Sequence, residues 1–249
     1  MRVKLLSRGK LDAITSAPKG KIIITIDGGS ATNKSPISQA LAKKFNLVYI
    51  EMGGLFRTIS YLLMQAGLPP KLENTGKVDE FVKHIKCEYV LEGRAIKFII
   101  NGVCLGAKEL RAEDINASVA KYTLSFKSVS DACIKYTRKV INLEEVCKFD
   151  GVLAEGRTCC TYIFPKADIK FWFMATDAAK LNLRLNIEKE VDNPIERDRV
   201  DFSATFYPVT KPKHAIEIWT SSRTVEENIA LVSAFVEQKL DLKKYNKTA

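Results

Sequence analysis

The residues best suited to chemistry lie in one short segment, where a lysine and a hydroxyl follow a loop of small residues. Residues 27–35 read Asp-Gly-Gly-Ser-Ala-Thr-Asn-Lys-Ser. They are similar to the phosphate-binding P-loop pattern G-x-x-x-x-G-K-[ST]. In a P-loop, backbone N–H groups and a helix N-terminus face the phosphates, the lysine contacts them, and the next hydroxyl holds Mg²⁺. The segment therefore predicts a nucleotide-phosphate and Mg²⁺ site, with Ser35 as the metal ligand, built from Gly28, Gly29, Ser30, Lys34 and Ser35.

The pattern is incomplete at one position, because Asn33 stands where the second glycine belongs. Asparagine adopts a left-handed backbone more readily than most residues, so the loop can still close, although its side chain adds bulk near the phosphates. Pro36 is compatible with the first turn of the following helix, where the N–H that proline lacks has no intrahelical partner. An ordinary strand-turn-helix carrying a surface lysine stays open as an alternative.

Strands alternate with helices along most of the chain, which predicts a parallel sheet covered on both faces. The run at 22–26 is apolar without alternation, as expected for a strand buried on both sides. A short antiparallel patch is predicted around the Asn101-Gly102 turn. The predicted strands are 22–26, 47–50, 88–91, 95–100, 103–105, 151–154, 169–174 and 215–219, and the predicted helices are 37–45, a helix after 57 that runs to about 66, 81–85, 111–124, 128–146, 177–190 and 225–240.

Several arginines lie where such a fold binds ligands. Arg157 follows the strand predicted at 151–154, and the carboxyl ends of parallel strands are where ligands bind. Arg57 and Arg111 lie at the starts of predicted helices, and Arg197 lies in a charged segment, 194–208, that we predict to be an irregular lid. Each of these four is also compatible with a solvated surface position.

The composition narrows the class of protein. The 249 residues are 46% hydrophobic, which is enough for the core of one large domain. The net charge of +10 suits nucleotides or RNA as partners, although a solvated basic surface gives the same charge. Six cysteines without C-x-x-C spacing and only two histidines argue against a zinc site and for reduced thiols in an intracellular protein. No apolar run approaches the ~18 residues that a membrane span needs.

Landmarks along residues 21–240 resemble, in order and spacing, those of the bacterial-type cytidylate (CMP/dCMP) kinases. The start of the family's P-loop corresponds to Ile26-Asp27-Gly28-x-Ser30, and its acceptor segment, Asp-Ser-Gly-x-x-Tyr-Arg, corresponds to Glu51-Met52-Gly53-Gly54-Leu55-Phe56-Arg57. Its Ile-Arg corresponds to Leu110-Arg111, its Asp-Gly-Arg-Asp to Glu155-Gly156-Arg157-Thr158, and its Phe-Pro to Phe164-Pro165. Its lid motif corresponds to Arg197-Asp198-x-x-Asp201 with Pro208.

This resemblance implies a three-layer α/β P-loop fold with a parallel central sheet. It implies one domain at 21–240, with an antiparallel nucleotide-binding insertion at about 71–106 and a short lid at about 191–209. It also implies phosphoryl transfer from ATP, with Mg²⁺, to CMP or dCMP. The catalytic residues would then be Lys34, Arg157 and Arg197, and the acceptor nucleotide would be bound by Gly53, Arg57, Arg111 and Arg157.

The departures from the family pattern fall on residues that would bind the nucleotides or act in catalysis. The second lid arginine is replaced by Ala204, and the acid after Gly156-Arg157 is replaced by Thr158. The remaining changes are Asn33 and Pro36 in the P-loop, Met52 in the acceptor segment and Ala107 before Leu110-Arg111. Loss of one transition-state arginine costs on the order of 10³-fold in rate, because positive charge around the moving phosphoryl group does much of the work. The sequence therefore predicts impaired activity.

Two hypotheses stay open. The first is a cytidylate kinase, cytoplasmic or, if the basic leader at 1–20 is a targeting segment, located in an organelle such as the mitochondrion. The second is a catalytically inactive kinase fold that serves as a structural or RNA-associated subunit of a ribonucleoprotein such as an organellar ribosome. The net charge, the leader, the altered site and the Lys-rich end, with its tail at 241–249, favour the second.

Overall fold

The computed structural model describes residues 4–5, 15–106, 109, 113–187 and 193–245. Its strands are β1 (Lys4–Leu5), β2 (Ile22–Gly28), β3 (Leu47–Glu51), β4 (Cys87–Glu92), β5 (Ala95–Ile100), β6 (Gly151–Glu155), β7 (Ile169–Met174) and β8 (Ile216–Trp219). Its helices are α1 (Lys34–Lys44), α2 (Met52–Gln65), α3 (Thr75–Lys83), α4 (Glu113–Ser125), α5 (Lys127–Val140), α6 (Asp177–Leu181), α7 (Pro194–Phe202) and α8 (Val225–Tyr245). None of the helices in these ranges is long and apolar enough to cross a membrane.

The strands form one sheet in the order β1-β4-β5-β3-β6-β2-β7-β8. From β5 to β8 every neighbouring pair is parallel, and β2 lies between β6 and β7. All seven residues of β2 are buried, as its unalternating apolar run predicts. The observed architecture confirms the predicted α/β fold with a parallel central sheet.

Helices cover both faces of the sheet, because successive residues of a strand point to opposite sides. Ile23 belongs to a core cluster on the face that includes residues of α2 and α5. Ile24 belongs to the cluster on the other face, with residues of α1 and α8. The carboxyl ends of β2, β3 and β6 are thereby held at one edge of a sheet that is packed on both sides.

The predicted antiparallel patch is a hairpin of β4 and β5, paired from Cys87↔Ile100 to Glu92↔Ala95. It extends the central sheet, because β5 also pairs in parallel with β3. The strand predicted at 103–105 is wrong: Val103 makes only an isolated bridge to Ile100. The Asn101-Gly102 turn forms with positive φ at both residues, but the short run that follows makes no further ladder pairs.

The lid segment corrects a second prediction, because 194–202 is helical and not irregular. The side chain of Asn193 accepts hydrogen bonds from the N–H groups of Ile195 and Glu196, and Pro194 occupies the first helical position. Both features favour a helix start. Two predicted helices are also shorter than expected: α5 ends at Val140, and the helix after Asp177 becomes π-helical over Asn182–Ile187.

Candidate active site

The P-loop joins β2 to α1 and takes the conformation that its sequence predicts. Gly28 has φ 145°, and a Cβ there would lie 2.1 Å from the carbonyl oxygen of Phe173, so only glycine fits between β2 and β7. Asn33, which replaces the second glycine, adopts the left-handed conformation at φ 53° and ψ 29°. The substitution therefore preserves the backbone of the loop.

Lys34 folds back over the loop. Its ammonium donates to the carbonyl oxygen of Gly29 at 2.5 Å and to the hydroxyl of Thr32 at 3.1 Å. Burial and the nearby charge of Arg157 lower the pKa of Lys34 to about 8, although the carboxylates of Glu155 and Asp198 act in the opposite direction. A partly buried ammonium beside a partly buried guanidinium is an arrangement that an anion would stabilise.

A hydroxyl and a carboxylate meet at the start of α1. Ser35 Oγ donates to Glu155 Oε1 at 2.8 Å, and the hydroxyl of Tyr49 donates to Glu155 Oε2 at 2.6 Å. Burial and the charge of Glu51 raise the pKa of Glu155, while Lys34 and the two hydroxyl bonds lower it. Hydroxyl and carboxylate oxygens are the ligands that Mg²⁺ prefers. Ser35, as predicted, and Glu155, at the end of the strand next to β2, therefore fit a magnesium site.

Arg157 lies over the P-loop and not in solvent. Its Nη2 donates to Ser30 Oγ at 2.5 Å, and its Nη1 donates to Asp198 Oδ1 at 2.9 Å. The same Nη1 lies 2.6 Å from Asp201 Oδ2. The loop after β6 thus brings the predicted catalytic arginine into contact with both the P-loop and α7.

Asp198 is the centre of this contact. The residue is only 3% exposed, and its carboxylate accepts hydrogen bonds from the P-loop, from Arg157 and from α6. The N–H of Ser30 donates to Oδ1 at 2.7 Å, and Lys180 Nζ donates to Oδ2 at 3.0 Å. Burial raises the pKa of this carboxyl, but Arg157, the Ser30 N–H and Lys180 together lower it below its ordinary value. An ionised carboxylate therefore lies where a P-loop N–H group points.

The acceptor segment forms the opposite wall of a cleft. Arg57 Nη1 lies 3.8 Å from Glu51 Oε1, and a Cβ at Gly53 would come within 2.6 Å of the same Nη1. Glycine at position 53 thus leaves room for the guanidinium to lie across the start of α2. Of the predicted site residues, the cleft brings together Ser30, Lys34, Ser35, Gly53, Arg57, Arg157 and Arg197. Arg111 lies outside the described residues.

Five of the six positions that depart from the family pattern lie at this cleft, and the sixth, Ala107, lies outside the described residues. Met52 is buried, and its sulfur accepts a hydrogen bond from the hydroxyl of Thr137 at 2.8 Å. Its side chain therefore packs into the core at the base of the cleft. Ala204 lines the wall where the second lid arginine is missing. The substituted residues among the cleft lining are Asn33, Pro36, Met52, Thr158 and Ala204.

Sequence reasoning missed several residues of the site. Lys180 and Arg184 are spaced i, i+4 in the predicted helix 177–190, which places them on one helical face and was a usable signal. Lys180 binds Asp198, and Arg184 lines the cleft. Tyr49 gave no signal, because an apolar strand does not reveal which tyrosine hydroxyl will meet a carboxylate.

The adjacent cysteines Cys159 and Cys160 contribute to the site through their backbone N–H groups. Their N–H groups donate to the carboxylate of Asp27 at 3.0 and 2.6 Å, which ties the loop after β6 to the end of β2. Burial and the nearby Asp27 charge raise the pKa of both thiols well above its usual range. These thiols are protonated, so their role at neutral pH is packing.

Comparison with known proteins matches the sequence of this chain to one family. The sequence model of the family described as "Cytidylate kinase" matches residues 24–238. The chain is 30% identical to a cytidylate kinase of Fusobacterium nucleatum over 227 residues, which cover 87% of this chain and 98% of that protein. It is 28% identical to a cytidylate kinase of Clostridioides difficile, covering 84% and 94% of the two chains. It is 27% identical to one of Bacillus subtilis, covering 88% and 98%.

Proposed function

The chain belongs to the cytidylate kinase family, and from that premise we propose that it transfers the γ-phosphoryl group of ATP to CMP or dCMP. ADP and CDP or dCDP would be the products. The observation that carries the proposal is the position of Arg157, which bonds the P-loop at Ser30 and lines the same cleft as Arg57 of the acceptor segment. Phosphoryl transfer needs positive charge between a fixed donor and a fixed acceptor.

The predicted site residues would have distinct roles in this reaction. The P-loop N–H groups and Lys34 would bind the donor phosphates, and Arg157 and Arg197 would neutralise charge on the transferred group. Ser35 and Glu155 would hold Mg²⁺, which would supply positive charge to the donor phosphates. Gly53 and Arg57, with Arg111 by resemblance, would bind the acceptor nucleotide.

We propose further that the activity is impaired. Ala204 lines the cleft without a charged side chain, so the lid presents one cation fewer to the moving phosphoryl group. Thr158 likewise replaces an acid at the acceptor wall. The P-loop substitution is less damaging, because Asn33 keeps the left-handed backbone that the loop requires.

The test is a coupled assay of ADP release with ATP, Mg²⁺ and CMP, dCMP or UMP. We expect turnover that depends on CMP or dCMP and that falls at least about 10²-fold in Lys34→Ala, since this change removes the cation on the donor phosphates. Turnover no greater than that of Lys34→Ala would contradict the proposed activity.

The impairment is tested in the same assay with Ala204→Arg. A guanidinium restored at the lid should raise kcat by tenfold or more while changing the KM for CMP little, because it acts on charge that develops during transfer. A lower or unchanged kcat would show that the missing lid arginine does not limit the rate.

The second candidate, an RNA-associated subunit, is favoured by the net charge of +10 and by the Lys-rich end of the chain. Binding to RNA should then weaken steeply as salt rises from 50 to 200 mM, because phosphate contacts release counterions. RNA binding without CMP-dependent turnover would support this candidate over the enzyme.

A further inference from the structure

One tyrosine in the segment that follows α7 has a strained backbone. Tyr207 has φ 54°, which lies in the left-handed region that bulky side chains rarely adopt. Such a conformation costs free energy and persists only where the surrounding contacts enforce it, and residues of this kind are concentrated at active sites and ligand clamps. Tyr207 also lines the cleft, together with Ala204 and Phe206 of the same segment, 203–209. The strained residue therefore lies in a wall of the site.

Two sets of contacts hold the Tyr207 side chain in place. Its hydroxyl donates to Asp131 Oδ1, and its ring packs edge to face against the ring of Tyr162, with centroids 5.0 Å apart. The ammonium of Lys127 donates to Asp131 Oδ2 at 2.8 Å and lies 5.3 Å from the centre of the Tyr207 ring. Burial and the bond to Asp131 raise the pKa of Tyr207, so its hydroxyl is protonated and donates at neutral pH. Segment 203–209 is thereby fastened to α5 and to the segment after β6.

The helix that holds this tyrosine, α5, also carries part of the acceptor side of the cleft. Ser130 and Ile134 of α5 line the cleft. Further along the helix, the hydroxyl of Thr137 donates to the sulfur of Met52, which belongs to the acceptor segment. Segment 203–209 and the acceptor segment are therefore both positioned against one helix, and the space between them depends on how each is attached to it.

We propose that Tyr207 is a positioning residue for the acceptor nucleotide, because it fixes segment 203–209 on α5 and so sets the distance between this segment and the acceptor segment. The inference rests on the proposed function for the identity of the acceptor. Tyr207 acts through the segment that it holds, and its side chain needs no bond to the substrate. Placement of the acceptor contributes strongly to the rate, since a displacement of about 1 Å can cost on the order of 10²-fold.

The test compares the acceptor with the donor in the coupled assay of the full-length protein. We expect Tyr207→Ala to lower kcat/KM for CMP about tenfold or more and to leave the KM for ATP within about twofold of wild type. Tyr207→Phe keeps the ring contact with Tyr162 and should lose less. Thr205→Ala, at an exposed side chain of the same segment that does not line the cleft, is the matched control and should leave kcat/KM for CMP unchanged. Equal losses for CMP and ATP in Tyr207→Ala would overturn the inference.

Tyr207→Gly separates the side chain from the backbone conformation. Glycine adopts φ 54° without strain, so this variant removes both the side-chain contacts and the strain. We expect it to unfold at a higher urea concentration than Tyr207→Ala, yet to show the same loss of kcat/KM for CMP. The amides of 203–209 should exchange with deuterium faster in both variants than in wild type. Recovery of the wild-type kcat/KM in Tyr207→Gly would show that the backbone alone positions the segment, and would overturn the role of the side chain.

Failure of this inference is distinguishable from failure of the proposed function. CMP binding, measured by calorimetry, that weakens in Tyr207→Ala without any CMP-dependent ADP release would support the positioning role and remove the kinase activity. CMP-dependent turnover with an unchanged kcat/KM in Tyr207→Ala would do the reverse. No measurable CMP binding by the wild-type chain would overturn both.

Discussion

At the residue scale, two carboxylates occupy donor groups of the proposed phosphate site around Arg157. Asp198 and Asp201 both pair with its guanidinium, and Asp198 also accepts the N–H of Ser30. A phosphate group in the P-loop would need these same donors. The Asp198 carboxylate therefore competes with the ligand for its binding groups, so displacing it costs part of the binding free energy.

Asp198→Asn should separate binding from stability. The amide has nearly the same shape but no charge, so we expect tripolyphosphate to bind several-fold more tightly, as measured by calorimetry. The free energy of unfolding in urea should fall by roughly 2 kcal/mol, because Arg157 and Lys180 lose their buried counter-charge. Weaker tripolyphosphate binding by the variant would show that the carboxylate does not compete with phosphate.

The pH dependence of the same variant provides a second check. Since Arg157, the Ser30 N–H and Lys180 hold the pKa of Asp198 below its ordinary value, its charge stabilises the fold above the unfolded-state pKa. That contribution is lost as pH falls through the folded-state pKa. The difference in unfolding free energy between wild type and Asp198→Asn should be complete at neutral pH and shrink below about pH 4. A difference that stays constant to pH 3 would contradict this assignment.

At the element scale, α7 is the part of the site whose structure the sequence described least well. Its start depends on Asn193, whose side chain caps the N–H groups of Ile195 and Glu196. The helix then places Arg197 at the cleft and Asp198 on the P-loop. The lid is thus a formed helix docked on the P-loop, and its stability and the geometry of the cleft are linked.

Asn193→Ala removes this cap and should destabilise α7 by about 1 kcal/mol. The amides of α7 should exchange with deuterium roughly fivefold faster by mass spectrometry, while amides of β2 stay protected. Asn193→Ser, which retains an oxygen acceptor, is the control and should exchange as wild type does. Equal protection in Asn193→Ala and wild type would mean that packing alone holds the helix.

At the scale of the whole molecule, the site depends on a sheet that is packed on both faces. β2 pairs with β6 and β7 on its two sides, and its end becomes the P-loop. Gly28 is the last residue of β2 and pairs with Phe173 of β7. Any side chain at this position would push apart two central strands, so the fold and the P-loop share one steric requirement.

Gly28→Ala should therefore lower the free energy of unfolding by about 3 kcal/mol or more, because its Cβ would overlap the carbonyl oxygen of Phe173. Gly76→Ala is the matched control, since nothing lies within 4 Å of a Cβ there and the residue is in α3. That control should be neutral or more stable by up to about 1 kcal/mol, because alanine favours helix. Urea denaturation measures both, and similar stabilities for the two variants would exclude the steric explanation.

By itself, the sequence determined the succession of strands and helices, the left-handed turn at Asn33 and the identity of most cleft residues. These depend on local periodicity, on turn chemistry and on motifs whose spacing lies within a few residues. Only the tertiary structure decided that Asp198 meets Ser30, 168 positions away, and that Tyr49 meets Glu155 across 106 positions. The partner of a buried polar group is selected by strand order and helix docking, and neither hydrophobic period nor motif spacing specifies those contacts.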